Sequence, residues 1–119
     1  MLIVAGALTA VGCGRTEVHI NVSDDQMEGV WQRNGTQEYW RYVVDGHTGV
    51  TWDLGEDITE EESNLTFTWS INGDELTDVF TGAQNNQAVP KRYTIKEISS
   101  TAMTWEDEYG MTGKFTKTE

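Results

Sequence analysis

The sequence predicts an all-β protein, a single eight-stranded antiparallel barrel with up-and-down strand order. From Gly29 to Glu119, short aromatic-rich segments alternate with turn residues, which is the pattern of strands joined by tight connections. Beyond residue 29 no segment has the 3.6-residue apolar period of a helix. A length of 119 residues suits one domain. Sequential antiparallel strands can close into an up-and-down barrel, which leaves no unpaired edge.

Eight segments have the alternation and turn boundaries expected of strands. They lie near residues 29–34, 38–44, 49–54, 65–72, 75–81, 91–98, 102–107 and 111–117. A short helical turn is expected before them, at residues 23–28, because Ser23 is a capping-type residue that acids follow. Pro90, the only proline, is expected between strands five and six, where it removes no ladder hydrogen bond.

The clearest strand runs from Leu65 to Ile71, with apolar residues at odd positions and hydroxyl residues at even ones. Asn72-Gly73 follows it and predicts a hairpin. A loop of two or of four residues places Asp78 on the inward face of Trp69, whereas an odd loop length sends Asp78 to solvent. An inward carboxylate needs a partner, a bound ligand or water, because an unpaired buried charge is costly.

Two other hairpins also set which residues face each other. A three-residue loop, 108–110, would set Trp105 opposite Gly113, which makes room for the indole. At the second hairpin, a five-residue loop aligns Tyr42 with Trp52. A four-residue loop instead turns inward the residues at 39, 41 and 43. The sequence does not decide between these two alignments of the second hairpin.

The formal net charge is -12, with only eight Lys and Arg residues. Nucleic acids and anionic membrane surfaces need basic partners, so both are disfavoured. Many of the acids lie in residues 53–62, a stretch typical of a solvated loop. The spacing of an EF-hand is missing there, and we predict no metal site.

Catalysis has little support in the residue types present. His19 and His47 have no nucleophile motif nearby, and Cys13 is the only cysteine. The many carboxylates are uninformative without a cleft to bring them together. We therefore predict a protein that is not an enzyme and uses no cofactor.

The N-terminal residues resemble the end of a bacterial lipoprotein signal peptide. Residues 1–8 form an uninterrupted apolar run, and small residues separate it from Cys13. In such signals the cysteine is acylated and becomes the mature N-terminus. Ala10 stands where this signal prefers Leu, and no Lys or Arg precedes the run, which suggests a longer signal.

This resemblance implies a signal remnant at 1–12, a lipid-anchored tether at 13–22 and a barrel at 23–119. The protein would then be held at a bacterial cell envelope, in the periplasm or at the cell surface, and would touch the membrane through its anchor alone. In the alternative interpretation residues 2–8 form a first strand and Cys13 is an ordinary thiol.

Gly29-Val30-Trp31, placed after a short acidic helical turn, resembles the first motif of the lipocalins. With the segments 69–76 and 93–95, the layout is similar to the small lipocalin-like lipoproteins of gut Bacteroidetes, over residues 23–119. In lipocalins an Arg near the last strand covers the motif Trp. Here Lys114 or Lys117 would take its place.

The resemblance implies a barrel that holds a small apolar or amphipathic ligand. The side chains expected to line the ligand site are Trp40, Trp52, Phe67, Trp69, Asp78, Tyr93 and Trp105. In the alternative, these aromatics fill a closed core, and the protein is a structural or protein-interaction module at the cell envelope. A cavity above about 300 Å³ bounded by the inward tryptophans would favour the ligand carrier.

Overall fold

Eight antiparallel strands close into an up-and-down barrel, as predicted, with β8 paired to β1. The structure is a computed structural model that describes residues 19–81 and 88–119. Cys13 and the expected signal remnant lie outside the described residues. The strands are β1 Gly29–Arg33, β2 Glu38–Val43, β3 Thr48–Asp53, β4 Thr66–Asn72, β5 Glu75–Phe80, β6 Val89–Ile98, β7 Ala102–Asp107 and β8 Thr112–Lys117. Helix α1, Asp24–Met27, precedes β1, and a 3-10 turn, Leu54–Glu56, follows β3.

The two ends of the barrel differ. The closed end carries α1 and the turns at 44–47, 73–74 and 99–101, whereas the described connections at 34–37, 54–65 and 108–111 lie at the open end. Helix α1 covers the closed end because Met27 is fully buried and its carbonyl accepts a hydrogen bond from Trp31 Nε1 at 2.9 Å. Val22 is also buried and donates its backbone N–H to Gly73 at 2.9 Å. The end of the expected tether is therefore packed against the barrel.

The predicted parity of two hairpins is confirmed. Trp69 pairs directly with Asp78 across a two-residue turn, Gly73 and Asp74, in which Gly73 has a φ of 67°. Trp105 pairs with Gly113, and a Cβ added to Gly113 would lie 2.6 Å from the indole nitrogen. Only glycine leaves room for this indole to lie flat against β8.

The five-residue alignment of the second hairpin is wrong. The loop has four residues, 44–47, and it pairs Tyr42 with Gly49 and Tyr39 with Trp52. The faces expected from a four-residue loop are wrong as well, because Tyr42 stays inward and residues 39, 41 and 43 turn outward. Trp52 is paired with Tyr39 and therefore also faces outward. Their rings stack outside the barrel with centroids 5.4 Å apart. The reason lies in Gly49, where a Cβ would collide with the ring of Phe67 from β4.

Pro90 was expected between strands five and six, and this is wrong. It is the second residue of β6 and is paired with Val79. It lies next to the start of the strand, where a missing N–H is tolerated. The ladder between β6 and β7 has a bulge between Ile95 and Glu97.

Large aromatic residues fill the middle of the barrel. Phe67, Trp69 and Trp105 are buried together, as predicted, and Ile71 is half-buried against the same cluster. Rings meet edge to face in this core, with the centroids of Trp105 and Phe115 4.4 Å apart. The space inside the eight strands is therefore occupied by side chains.

The last strand supplies a cation to the motif tryptophan. Of the two lysines expected there, Lys117 lies over Trp31, with Nζ 5.1 Å from the ring centroid. Lys114 is exposed on the other face of β8.

Candidate ligand site at the open end of the barrel

A cleft opens at one side of the barrel because two neighbouring strands separate. β3 and β4 pair only over Thr48–Val50 against Thr66–Thr68. One further backbone hydrogen bond joins the Thr51 N–H to the Leu65 carbonyl at 3.0 Å, and the long connection at 54–65 joins the two strands at this end. The resulting cleft has two halves, which share the residues Trp40, Thr51, Asn64 and Leu65.

The first half, called the apolar half, has a volume of about 400 Å³. Besides the shared residues, it is lined by Thr66, Phe80, Val89, Lys91 and Tyr93. Lys91 is the one charged side chain among these lining residues. The apolar half therefore matches the hydrophobic part of an amphipathic molecule.

The second half, called the acidic half, has a volume of about 600 Å³. It carries no Lys or Arg, and its carboxylates are Glu38, Asp53, Glu56, Asp57 and Glu62. Trp52 also lines the acidic half, although its side chain is on the outer face of β3. Within residues 19–81 and 88–119, no three His, Cys, Asp or Glu side chains are grouped closely enough to hold a metal ion.

Exposed apolar side chains concentrate at the same end of the barrel. All the large ones among the described residues lie there, between 40% and 85% exposed, and they are Leu54, Leu65, Val89, Tyr109 and Met111. Leu65 and Val89 belong to the apolar half of the cleft. Apolar residues gathered at one end of a soluble domain are typical of a binding surface.

Asp78 is the one charged side chain in the buried core of the described chain. Tyr42 donates its hydroxyl to Asp78 Oδ2 at 2.7 Å, and Oδ1 has no partner within the described ranges. Burial raises the pKa of Asp78 to about 7, against the lowering effect of the Tyr42 hydrogen bond. Burial and the nearby Asp78 charge also raise the pKa of Tyr93.

Asp78 is adjacent in the sheet to residues that line the apolar half. In the ladder it stands between Trp69 of β4 and Lys91 of β6, and Phe80 follows it on the same face. Phe80, Lys91 and Tyr93 all line the apolar half. Asp78 is therefore a neighbour of three residues that line the apolar half, but it is fully buried and does not line the cleft itself.

The residues expected to line a ligand site are divided by the structure. Trp40 lines both halves, Tyr93 the apolar half and Trp52 the acidic half. Phe67, Trp69, Asp78 and Trp105 are buried in the core and line neither half. The cleft at the open end thus replaces the cavity expected among the inward tryptophans.

Sequence reasoning missed the wall residues at the open end. Val89 is the first residue of β6, and Leu65 directly precedes β4. Both are at inward positions of the alternating pattern, which could have predicted that they line the mouth of the barrel. The acids of the 54–65 connection were assigned to a solvated loop. Glu60 does secure that connection, since it accepts from Arg41 Nε at 2.6 Å, but its neighbours Glu56 and Glu62 face the cleft.

Both histidines lie at the closed end, away from the cleft. His19 Nδ1 is 2.7 Å from an Asp74 oxygen, and His47 Nε2 is 2.8 Å from an Asp24 oxygen. His47 also packs against Trp69, with ring centroids 4.7 Å apart. Neither imidazole lines the cleft as an acid, a base or a ligand to a metal.

The chain matches no protein-family model, no curated protein and no solved structure. What defines it is the closed up-and-down barrel with a filled core and a cleft at one end. None of the helices in the described part of the chain is long and apolar enough to cross a membrane.

Proposed function

We propose that this protein binds a small amphipathic ligand in the cleft at the open end of the barrel, without catalysis. The supporting observation is the apolar half, which has a volume of about 400 Å³ and is lined by Trp40, Leu65 and Val89 among others. Sites for small molecules typically have volumes of roughly 300–1,000 Å³ and few polar groups. Because aromatic side chains fill the core, the ligand would lie at the mouth of the barrel.

A protein-interaction module is the second candidate. Tyr109 and Met111 favour it, since they are 85% and 63% exposed and line neither half of the cleft. The filled core also suits a rigid scaffold. The two candidates differ in which apolar residues matter, so substitutions inside and outside the cleft separate them.

The first test uses N-phenyl-1-naphthylamine, an uncharged apolar fluorophore. We expect the protein to bind it, and Leu65→Asp and Val89→Asp each to weaken binding about tenfold, because a carboxylate would stand among the apolar lining. Both residues are already exposed, at 52% and 41%, so the fold should tolerate the change. Fluorescence titration measures the affinity, and circular dichroism checks the fold.

Met111→Asp is the matched control, since it adds the same charge at the same end of the barrel but outside the cleft. It should leave the affinity unchanged. Equal loss in all three variants, or no binding to the unmodified protein, would contradict a ligand site in the cleft and favour the interaction module.

We also propose that the chain is a lipoprotein anchored through Cys13 at a bacterial cell envelope. The support is the apolar run with small residues before the cysteine. His19 and Val22 join the barrel at its closed end. An anchor six residues before His19 would then attach on the side away from the cleft, so that ligand would enter from the aqueous phase.

Replacing Cys13 by Ser tests the anchor in bacterial cells. We expect the unmodified protein in the membrane fraction, with mass spectrometry showing cleavage before Cys13 and a diacylglycerol on its sulfur. The serine variant should appear in the soluble fraction, because it has no thiol to acylate. Identical fractionation of the two proteins, with no lipid on the peptide, would contradict this proposal.

A further inference from the structure

We propose that the ligand carries a primary ammonium group that pairs with Asp78, while its apolar tail lies in the apolar half of the cleft. This inference rests on the proposed function and adds to it the chemical class of the ligand. Three features support it, namely a buried carboxylate with a partnerless oxygen, its position next to residues that line the cleft and the sign of the surrounding charge.

The carboxylate of Asp78 is incompletely satisfied. It is fully buried, Tyr42 occupies Oδ2 at 2.7 Å, and Oδ1 accepts from nothing in the described chain. A buried carboxylate normally has several donors, and leaving one oxygen without any is costly. A primary ammonium group has three N–H donors on a compact head and is the complementary group in both charge and hydrogen bonding.

The path to Asp78 runs through the apolar half. Phe80 follows Asp78 on β5, Lys91 is its direct partner on β6, and both line the cleft, as does Tyr93. Phe80 and Tyr93 are half-buried, and their rings pack on the core, on Phe67 at 5.1 Å and on Trp105 at 3.9 Å between centroids. To reach Oδ1, a small head group would have to displace these two rings, and its tail would then lie against Leu65 and Val89.

The charge around the cleft attracts cations. The acidic half continues directly from the apolar half across Trp40, and five carboxylates but no Lys or Arg line it. The whole chain carries a formal net charge of -12. Such a field raises the local concentration of cationic ligands and repels anionic ones.

Lys91 is the group that opposes this assignment. It stands next to Asp78 in the ladder, yet no hydrogen bond or ion pair joins it to Oδ1. Its side chain is exposed, so its charge is screened by water more strongly than that of Asp78. If Lys91 instead selected the ligand, the head group would be a carboxylate.

The test compares octylammonium, 1-octanol and octanoate, which share one tail and differ in the head group. Each displaces N-phenyl-1-naphthylamine in a titration at neutral pH and physiological salt. We expect octylammonium to bind about tenfold more tightly than octanol, and octanoate to bind most weakly, because a buried charge-assisted pair adds to the same tail contacts.

Asp78→Asn should abolish the preference for octylammonium and leave octanol binding within about twofold, which also shows that the variant is folded. Lys91→Met is the matched control and should keep the order of the three. A preference for octylammonium that survives in Asp78→Asn would overturn the role of Asp78. Tightest binding of octanoate, lost in Lys91→Met, would overturn the ammonium assignment but leave the ligand site standing. Failure of all the octyl compounds and of the fluorophore would overturn the proposed function itself.

Discussion

Replacing Trp69 by Ala should lower the free energy of unfolding by about 3 to 5 kcal/mol, because it leaves a cavity in a close-packed core. The indole is 3% exposed and lies against Tyr42, with ring centroids 5.5 Å apart. Its Nε1 also donates to the carbonyls of Val43 at 3.2 Å and Thr48 at 2.9 Å, on either side of the second hairpin. Alanine would remove both the packing and this tie, a large part of the stability of a small domain.

Unfolding in urea, followed by circular dichroism, measures the effect. Tyr109→Ala is the control, since this tyrosine is 85% exposed, and it should change the stability by less than about 0.5 kcal/mol. A loss below about 1 kcal/mol for Trp69→Ala would mean that the indole is not part of the core.

Asp78→Asn should make stability less dependent on pH. The unfolded carboxyl titrates near its ordinary pKa of 3.8, whereas burial holds the native pKa at about 7. Between these values the native state keeps a proton that the unfolded state has lost, so the free energy of unfolding falls as the pH rises. Across this pH range, the ionisation of Asp78 lowers the free energy of unfolding by at most about 4 kcal/mol. Asparagine cannot ionise, and the variant should therefore be more stable than the unmodified protein above pH 7.

The measurement is the difference between the two unfolding free energies from pH 4 to pH 9, since the titration of other groups cancels in it. Tyr42→Phe is the second variant. The Tyr42 hydroxyl stabilises the ionised carboxylate and lowers its pKa, so its loss should raise that pKa and extend the pH-dependent range upward. A difference that stays constant over the whole pH range would contradict a buried, titrating Asp78.

A protein that keeps an ionisable residue at a site where asparagine is more stable gives up stability there. Functional sites often have this character. If Asp78→Asn both stabilises the fold at neutral pH and abolishes the preference for octylammonium, the two results together would assign the carboxylate to ligand recognition.

Much of the barrel could be predicted from the sequence because its determinants are local. Strand alternation and turn residues recur within a few positions, and they located the eight strands and the short helix before them. Loop parity correctly placed Asp78 on the same face as Trp69. Loops of two and of four residues both place Asp78 inward, so this prediction did not depend on the loop length chosen between them. The pairing of Trp105 with Gly113 had the same local basis.

The second hairpin was decided by tertiary structure. Loops of four and five residues were both compatible with the local sequence, and the choice depended on whether Gly49 meets the ring of Phe67 from another strand. That contact turns Trp52 outward, a result no pattern within residues 38–54 contains.

The candidate site likewise depended on residues that are distant in sequence. Alternation predicted that Asp78 faces inward, but its partner Tyr42 lies 36 positions away. The cleft exists because β3 and β4 separate after Thr51, and strand separation leaves no periodic signal in either strand. The sequence alone determined the strands, their order and the faces of two hairpins, since these follow from local geometry. Only the closed barrel decided which side chains fill its core and which line its mouth, because that depends on how residues from different strands share one limited space.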